Sequence, residues 1–284
     1  MLKSLFFHKF QVILDAEYNK GVFLENKDNK RRPTCFDFIT RKAQGHKIAS
    51  LSLYDTPTAK IAEDCGIDLL LVGDSLGMTV LGHKNTIPVT MDDMLRHSAA
   101  VRRGAEKSFI VADMPFMSYQ TSVEDAMKNA ARFLQESSCD AVKIEGGKDM
   151  AETIRRLVSA GIPVMAHIGL LPQKLLTSGG YRKIGSSVAE SNDLLSDAKA
   201  VEDAGAFCVV LECVEDKLAG KISKKLKIPT IGIGSGELCD GQIQVVHDVL
   251  GLLEDFIPKH AKRYANLAKE IRRALSSYAA DVRK

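Results

Sequence analysis

The sequence predicts an α/β fold of the (β/α)8 barrel type. Eight short apolar segments alternate with helical segments over about 250 residues, a length typical of that barrel. The segment Leu69–Val72 is apolar throughout, as expected of a parallel strand that is covered on both faces. An open doubly wound sheet is the alternative, but the first strand–helix unit lacks the GxGxxG motif that would favour it.

The predicted strands are short runs of apolar and β-branched residues, which is the composition of buried strands. Four of them deliver an acid at their carboxyl end, and these acids are Asp74, Asp113, Glu145 and Glu212. Active sites of barrels lie at this end of the strands, so the repetition indicates a functional site. The strands are predicted at Lys47–Tyr54, Leu69–Val72, Phe109–Ala112, Ala141–Ile144, Pro163–His167, Cys208–Leu211, Pro229–Ile233 and Ile243–His247.

The predicted helices begin and end at recognisable cap residues. Asp55 followed by Pro57 is typical of a helix start, and Thr90 precedes two acids that favour a first turn. The helix Phe36–Gln44 is expected to close the bottom of the barrel. The other helices are predicted at Pro57–Cys65, Thr90–Arg103, Ser122–Ser137, Met150–Ala160, Leu194–Ala204 and Asp216–Leu226 and from Pro258 to Ala280, with a long polar loop at Pro172–Ser191.

Composition argues against several classes of protein. A net charge of +3, from 39 basic and 36 acidic residues, gives no basic surface of the kind that nucleic acid requires. No apolar run reaches the roughly 20 residues of a membrane helix. The six cysteines include no CxxC pair, so we interpret them as reduced residues of a cytosolic protein.

Residues 1–33 are predicted to form a partly disordered N-terminal extension before a single barrel domain at residues 34–284. The extension starts with an apolar, basic segment but lacks the long apolar centre and the cleavage site of a secretory peptide. Its acids, among them Asp15 and Glu25, argue against a mitochondrial presequence. We therefore predict a cytoplasmic protein, with organelle targeting by residues 1–33 as the alternative.

Three of the strand-end acids form a candidate metal site. Asp74 is followed by Ser-Leu-Gly and Asp113 by Met-Pro-Phe, so neither directly caps a regular helix, whereas Asp55 is interpreted as a cap. Acids on neighbouring strand ends repel one another unless a cation neutralises them. With Glu145 on the next strand the set offers only oxygen ligands, which favours Mg²⁺ or Mn²⁺ over zinc.

Three further residues are candidates for binding or catalysis. Lys143 lies two residues before Glu145, hence on the same face of its strand. It would form an internal ion pair with a neighbouring acid, bind an anionic substrate carboxylate, or do both. Glu212 ends the most apolar strand, where it could act as a general base or pair with Lys143. His167 could hydrogen-bond a substrate oxygen or be an ordinary core histidine.

Two glycine-rich stretches each have two interpretations. Gly232–Gly236 leaves strand seven where many barrels bind phosphate, or it merely allows close packing. The stretch Gly179–Tyr181 is a lid over the site or a mobile surface loop.

Eight blocks of the sequence, taken in order, are VGDSLGMTVLGHKNTIPVTMDDMLRHSAAVRRG, ADMPFMSY, VKIEGG, AHIGLLPQ, LLSDAKAVEDAGA, VLECV, IPTIGIGSG and CDGQIQVVHDVLGL. Together they resemble the ketopantoate hydroxymethyltransferase family from about Thr34 to about Tyr278. The departures are a longer N-terminal extension and SLYD where the family more often has TAYD.

The resemblance implies a barrel of the phosphoenolpyruvate mutase/isocitrate lyase type. It implies transfer of a hydroxymethyl group from 5,10-methylenetetrahydrofolate to 3-methyl-2-oxobutanoate, the first step of pantothenate biosynthesis. It also implies a homodecamer and a Mg²⁺ cofactor, with Mn²⁺ or Co²⁺ as alternatives. The implied metal ligands are Asp74, Asp113 and Glu145, the substrate contacts are Asp74, Ser75, Asp113 and Lys143, and the catalytic base is Glu212.

Two other functions stay open at this point. A metal-dependent C–C or P–C bond lyase of the same superfamily would use the same acids, but its lid cysteine motif, of the KKCGH type, is not found in this sequence. A non-catalytic barrel would be expected to have lost one of the four acids, and all four are present.

Overall fold

Eight parallel strands close into a barrel, as the sequence predicts. The computed structural model describes residues 31–180, 182–254, 258 and 261–284, so the predicted N-terminal extension up to residue 30 lies outside the described residues. The strands pair in sequence order, and β8 pairs with β1 to complete the ring. Their bounds are Ile48–Ser52 (β1), Leu69–Val72 (β2), Phe109–Asp113 (β3), Ala141–Glu145 (β4), Val164–Gly169 (β5), Cys208–Glu212 (β6), Thr230–Ile233 (β7) and Gly241–Val245 (β8).

Two of the helices between the strands start at the predicted caps Asp55 and Thr90. Asp55 accepts a hydrogen bond from the backbone N–H of Thr58, and Thr90 accepts one from that of Asp93. In chain order the described helices are Cys35–Ala43, Thr56–Asp64, Leu76–Thr79, Met91–Gly104, Val123–Ser137, Ala151–Ser159, Leu175–Ser178, Val188–Asp203, Asp216–Lys225, Val246–Leu250 and Leu267–Val282.

The alternation of side chains along β4 explains how apolar strands present charged groups. Ala141 packs in the barrel interior, whereas Val142 and Ile144 pack in the outer layer against the helices. Because successive side chains point to opposite faces, Lys143 and Glu145 share the inner face with Ala141. The apolar outer face secures the strand, and the inner face is free to carry the charges.

Aromatic rings close the amino-terminal end of the barrel. Phe38, from the first described helix, places its ring 5.0 Å from Phe109 and 6.2 Å from Phe207, measured between centroids. The Phe109 and Phe207 rings are 5.5 Å apart in an edge-to-face arrangement. The helix therefore closes the bottom of the barrel as predicted, and the opposite end is left for polar side chains.

The predicted loop Pro172–Ser191 is partly helical, so that prediction is wrong in part. It contains the 3₁₀ turn Pro172–Lys174 and the helix Leu175–Ser178. The next long helix begins at Val188, six residues earlier than predicted. Ser187 caps this helix. Four polar residues in its first turns, 190–193, conceal the helical period in the sequence.

The last strand lies two residues earlier than its predicted position, Ile243–His247. A Cβ atom at Gly241 would lie 2.4 Å from the carbonyl oxygen of Ile48, so glycine is what lets β8 approach β1. The chain then turns directly into the helix Val246–Leu250.

The C-terminal helix Leu267–Val282 begins later than the predicted start at Pro258. Asn266 caps it by accepting a hydrogen bond from the backbone N–H of Lys269. Residues 258 and 261–266 are not helical, and residues 255–257, 259 and 260 lie outside the described residues. Within the described part of the chain, no helix combines the length and the apolar character that a membrane crossing needs.

Candidate active site

Side chains alternate between the two faces of a strand, and this alternation orients the acids of β3 and β6 as it does those of β4. Asp113 comes two residues after Val111, and Glu212 two residues after Val210, and both of these valines pack in the barrel interior. Asp74 lies just beyond the end of β2 and is buried. The predicted acids are therefore brought together at the carboxyl end of the barrel.

A buried ion pair joins β3 to β4. The Lys143 Nζ atom lies 2.5 Å from Asp113 Oδ1, and both side chains are almost wholly buried. The other carboxylate oxygen of Asp113 accepts a hydrogen bond of 3.0 Å from the backbone N–H of Asp74. One of the two predicted roles of Lys143, the internal ion pair, is thus present. Because an ammonium has three donors, the pair leaves Lys143 able to bind a substrate carboxylate as well.

Glu145 is held from two sides of the barrel mouth. Its Oε2 atom accepts a hydrogen bond of 3.1 Å from the backbone N–H of Gln173, in the loop after β5. Its own backbone N–H donates to the hydroxyl of Tyr119, in the loop after β3, at 3.0 Å. The loop after β5 therefore holds the carboxylate, and the loop after β3 holds the backbone that carries it.

His167 lies between two carboxylates. Its Nε2 atom is 3.3 Å from Glu212 Oε2, and its Nδ1 atom is 3.7 Å from Glu145 Oε1. Neither ring nitrogen makes a hydrogen bond of good geometry with the described residues. Burial lowers the pKa of His167 below its ordinary value, and the contact with Glu212 opposes that shift. The imidazole is thus placed to contact Glu212 and a small molecule beside it.

Burial and mutual repulsion shift the pKa of the clustered acids. Burial, and next the charge of Asp113, raise the pKa of Asp74 from 3.8 to about 7. Burial and the charge of Asp74 raise the pKa of Glu145 well above its ordinary range. Burial would lower the pKa of Lys143, but the surrounding carboxylates, Asp113 foremost, raise it instead. If all three acids were ionised, they would carry more negative charge than Lys143 can balance, and the raised pKa values show that the cluster resists this state.

Metal-free protein should show a pH-dependent contribution of Asp74 to stability. Since the pKa of Asp74 is about 7 in the fold and 3.8 as a model value, the folded chain retains a proton between these pH values that the unfolded chain has released. The free energy of unfolding contributed by Asp74 therefore falls as pH rises, by at most about 1.4 kcal/mol per pH unit.

Urea unfolding of wild type and Asp74→Asn at pH 5, 6 and 7, in the presence of a chelator, measures this contribution. The stability difference, wild type minus variant, should decrease as pH rises. The neutral buried His167 has the opposite pH dependence, but it is common to both proteins and cancels in the difference. A difference that is flat or increases with pH would contradict the prediction.

The donor set at the barrel mouth fits a hard divalent cation. Asp74, Asp113 and Glu145 offer only carboxylate oxygens, and when ionised their three negative charges face one ammonium, that of Lys143. Among the described residues, however, no three His, Cys, Asp or Glu side chains are already arranged around a metal position. The carboxylate oxygens instead accept hydrogen bonds from Lys143 and Gln173, so closing a metal site requires these side chains to shift.

Ser75 is positioned by buried hydroxyl groups. Its Oγ atom lies 2.7 Å from the hydroxyl oxygen of Tyr54, which in turn lies 3.3 Å from Ser52 Oγ. A Cβ atom on Gly73 would lie 2.8 Å from both serine oxygens, so the glycine is needed for this approach. Ser75 is thus half-buried beside Asp74 with its hydroxyl oriented by Tyr54.

The glycine-rich end of β7 is engaged in packing. The Ser235 hydroxyl accepts a hydrogen bond from the backbone N–H of Val214 and donates one to the carbonyl of Leu211, which ties β7 to β6. A Cβ atom on Gly236 would lie 2.6 Å from the side chain of Asp216. These contacts favour the packing interpretation of Gly232–Gly236. Tyr181 of the predicted lid lies outside the described residues.

Gln173 and Tyr119 are parts of the site that the sequence alone does not single out. The Gln173 amide donates to Asp74 Oδ2 at 3.0 Å, and the Tyr119 hydroxyl donates to Gln173 Oε1 at 2.8 Å. Gln173 ends the block AHIGLLPQ and Tyr119 ends the block ADMPFMSY. Their place in these family-like blocks is the one signal in the sequence that points to them. Neither residue type carries an obvious catalytic or metal-binding signature.

The fold defines the chain as a (β/α)8 barrel, and structures of phosphoenolpyruvate mutase/isocitrate lyase superfamily members are similar to it. A crystal structure of 2,3-dimethylmalate lyase is similar with a TM-score of 0.59 and 17% identity, covering 88% of this chain and 89% of that one. A structure of phosphonopyruvate hydrolase in complex with oxalate and Mg²⁺ gives a TM-score of 0.59 and 12% identity, covering 88% and 87%. At these identities the likeness shows the fold alone.

The sequence places the chain within one family of such barrels. The profile of ketopantoate hydroxymethyltransferase matches residues 32–284, and the chain belongs to this family. The 3-methyl-2-oxobutanoate hydroxymethyltransferase of Carboxydothermus hydrogenoformans is 54% identical over 253 residues, covering 89% of this chain and 92% of the relative. The enzyme of that name from Geobacter metallireducens is 51% identical over 254 residues, covering 89% and 95%. The predicted resemblance is thereby confirmed, and with it the class of enzyme, a hydroxymethyltransferase.

Proposed function

We propose that this protein transfers a hydroxymethyl group from 5,10-methylenetetrahydrofolate to 3-methyl-2-oxobutanoate, forming ketopantoate for pantothenate biosynthesis. Family membership supports this activity. The observation that carries the assignment to this site is the buried set of three carboxylates around Lys143 at the carboxyl end of the barrel. Such a set suits a small anionic keto acid bound together with a divalent cation.

Asp74, Asp113 and Glu145 would hold the cation, which we expect to be Mg²⁺, with Mn²⁺ or Co²⁺ as alternatives. Bound there, it would supply the positive charge that favours loss of a proton from a keto acid that is already an anion. The raised pKa of Asp74 supports this role, because a bound cation would offset the burial and the repulsion from Asp113 that raise it.

Lys143 and Ser75 would bind the substrate. The Lys143 ammonium keeps donors beyond its pair with Asp113, and these can meet the substrate carboxylate. The Ser75 hydroxyl, held by Tyr54, lies beside the same acids and can bond a carboxylate oxygen. Asp74 and Asp113 would also contact the substrate, as the family resemblance implies.

Glu212 would act as the base that removes the hydrogen from C3. Its carboxylate lies at the end of β6, only partly exposed, and contacts His167 at 3.3 Å. The proton passes to the Glu212 carboxylate, and the electron pair that it leaves makes C3 the nucleophile for the methylene carbon of the folate. C3 bonds to that carbon as one of its two C–N bonds to the folate breaks, and water then bonds to it as the second C–N bond breaks. One folate nitrogen takes up the proton held by Glu212 and the other takes up one from water, so that the hydroxymethyl product and tetrahydrofolate leave. His167 would orient the Glu212 carboxylate.

The proposal also includes the extent of the domain, the localisation and the assembly of the protein. We expect residues 34–284 to be one catalytic domain, the protein to be cytoplasmic, and the assembly to be a homodecamer. The last expectation rests on the family resemblance alone.

Incubating the purified protein with ketopantoate and tetrahydrofolate tests the function, because the reaction run backwards must release 3-methyl-2-oxobutanoate. We expect this product with Mg²⁺ and none after chelation, with activity restored when Mg²⁺ is added back. A C–C bond lyase would instead cleave a 2-hydroxy diacid without tetrahydrofolate, and a non-catalytic barrel would release nothing. Either result would reject the proposal.

A further inference from the structure

Gln173 connects two of the proposed metal ligands, although it is neither charged nor part of a strand. It lies in the 3₁₀ turn Pro172–Lys174 after β5 and is buried, at 4% exposure. Its side-chain amide donates to Asp74 Oδ2 at 3.0 Å, and its backbone N–H donates to Glu145 Oε2 at 3.1 Å. One residue therefore contacts two acids that approach from different strands.

The orientation of the Gln173 carboxamide is fixed by its neighbours. Its Oε1 atom accepts hydrogen bonds from the Tyr119 hydroxyl at 2.8 Å and from the Gln120 side chain at 3.0 Å. Its Nε2 atom donates to the carbonyl of Met114 at 2.9 Å as well as to Asp74. Turning the amide over would place an oxygen against two acceptors and an N–H₂ group against two donors. The donor is therefore directed at Asp74.

A closed ring of hydrogen bonds holds this arrangement. The Glu145 backbone N–H donates to the Tyr119 hydroxyl, the Tyr119 hydroxyl donates to the Gln173 carboxamide, and the Gln173 backbone N–H donates back to the Glu145 carboxylate. All three residues are buried, so each bond is shielded from water. The ring ties the loops after β3 and β5 to the end of β4.

We propose that Gln173 is a positioning residue that sets the spacing and orientation of Asp74 and Glu145 for the cation. This inference rests on the proposed function, since it supposes that the two acids bind a divalent cation. Groups that orient metal ligands through hydrogen bonds typically change metal affinity by about 10- to 100-fold when removed. The effect should therefore be seen in metal binding itself, before any substrate is present.

Titrating chelator-treated protein with Mn²⁺ alone, and following free Mn²⁺ by its electron paramagnetic resonance signal, measures this directly. Gln173→Met keeps the length of the side chain and removes the four hydrogen bonds of the carboxamide, including the one to Asp74. We expect its dissociation constant for Mn²⁺ to rise about tenfold or more. Asp74→Asn removes a ligand and should show a larger loss. Gln242→Met is the matched control, because it makes the same change at an exposed position of β8 whose amide donates to the carbonyl of Gly236, and its affinity should equal that of wild type.

Tyr119→Phe keeps the test decisive if Gln173→Met does not fold. It removes only the hydroxyl that fixes the carboxamide and should weaken Mn²⁺ binding by a smaller factor, about threefold. In both variants a saturating Mg²⁺ concentration should return most of kcat, which loss of a purely structural residue would not allow.

Wild-type affinity in Gln173→Met and in Tyr119→Phe would overturn the positioning role while leaving the proposed function intact. Tighter binding in Gln173→Met would also overturn it, because it would mean that the amide competes with the cation for Asp74. An equal loss in Gln242→Met would show a general effect of losing a side-chain amide and reject the inference. Failure of the wild-type protein itself to bind Mn²⁺ would reject the metal site of the proposed function, and the inference with it.

Discussion

Glu212→Gln should slow exchange of the C3 hydrogen of 3-methyl-2-oxobutanoate with deuterated solvent by at least about 100-fold. Removal of a positioned general base typically costs about 10²- to 10⁴-fold. The substitution keeps the shape of the side chain, so the contact with His167 and the strand β6 should survive. Loss of the C3–H signal in a proton NMR time course, with Mg²⁺ present and folate absent, measures the rate.

Omitting the folate is what makes this measurement specific. Without a methylene donor the only reaction is removal and return of the C3 hydrogen, so later steps cannot mask the effect. Glu215→Gln is the matched control, since it makes the same change three residues further along the chain and leaves the His167–Glu212 contact in place. Exchange at the wild-type rate in Glu212→Gln would remove Glu212 from the role of base and direct attention to His167.

The barrel could be predicted from the sequence because its strands are buried on both faces. Runs such as Leu69–Val72 carry no polar residue to be confused with a turn, and the predicted and observed bounds of that strand coincide. The predicted bounds were wrong for β8, in which the apolar run is interrupted by polar residues. In β8 the polar Gln242 and Gln244 alternate with apolar residues, and the approach of Gly241 to Ile48 is a tertiary contact that no local pattern contains.

The acids of the candidate site were predictable for a related reason. An acid at the end of an apolar run, two residues after an inward-facing side chain, must point into the barrel mouth, as Asp113 and Glu212 do. Gln173 was not predictable in this way, because it lies in a loop whose course the strand period does not determine. Its bond to Tyr119 joins residues 54 positions apart, and only the closed barrel brings them together.

Lys143→Met should both destabilise the metal-free protein and weaken binding of the keto acid. The substitution leaves the Asp113 carboxylate buried without its ammonium partner, and breaking a buried ion pair in this way typically costs about 3–5 kcal/mol of unfolding free energy. It also removes a charged hydrogen bond to the substrate, worth about 1.5–3 kcal/mol, so KM for 3-methyl-2-oxobutanoate should rise roughly 10- to 150-fold. Urea unfolding and steady-state kinetics measure the two effects.

A cation bound among the acids should reduce the loss of stability of Lys143→Met but not the rise in its KM. Added Mg²⁺ would replace the positive charge that Asp113 loses, so the stability of Lys143→Met should recover more than that of wild type, while KM should stay high because the carboxylate contact is still missing. Lys148→Met is the control: Lys148 forms an exposed ion pair with Asp193 outside the cluster, and its loss should change neither quantity appreciably. If KM of Lys143→Met equalled that of wild type at saturating Mg²⁺, Lys143 would serve only to neutralise Asp113, and substrate binding would fall to Ser75 and the cation.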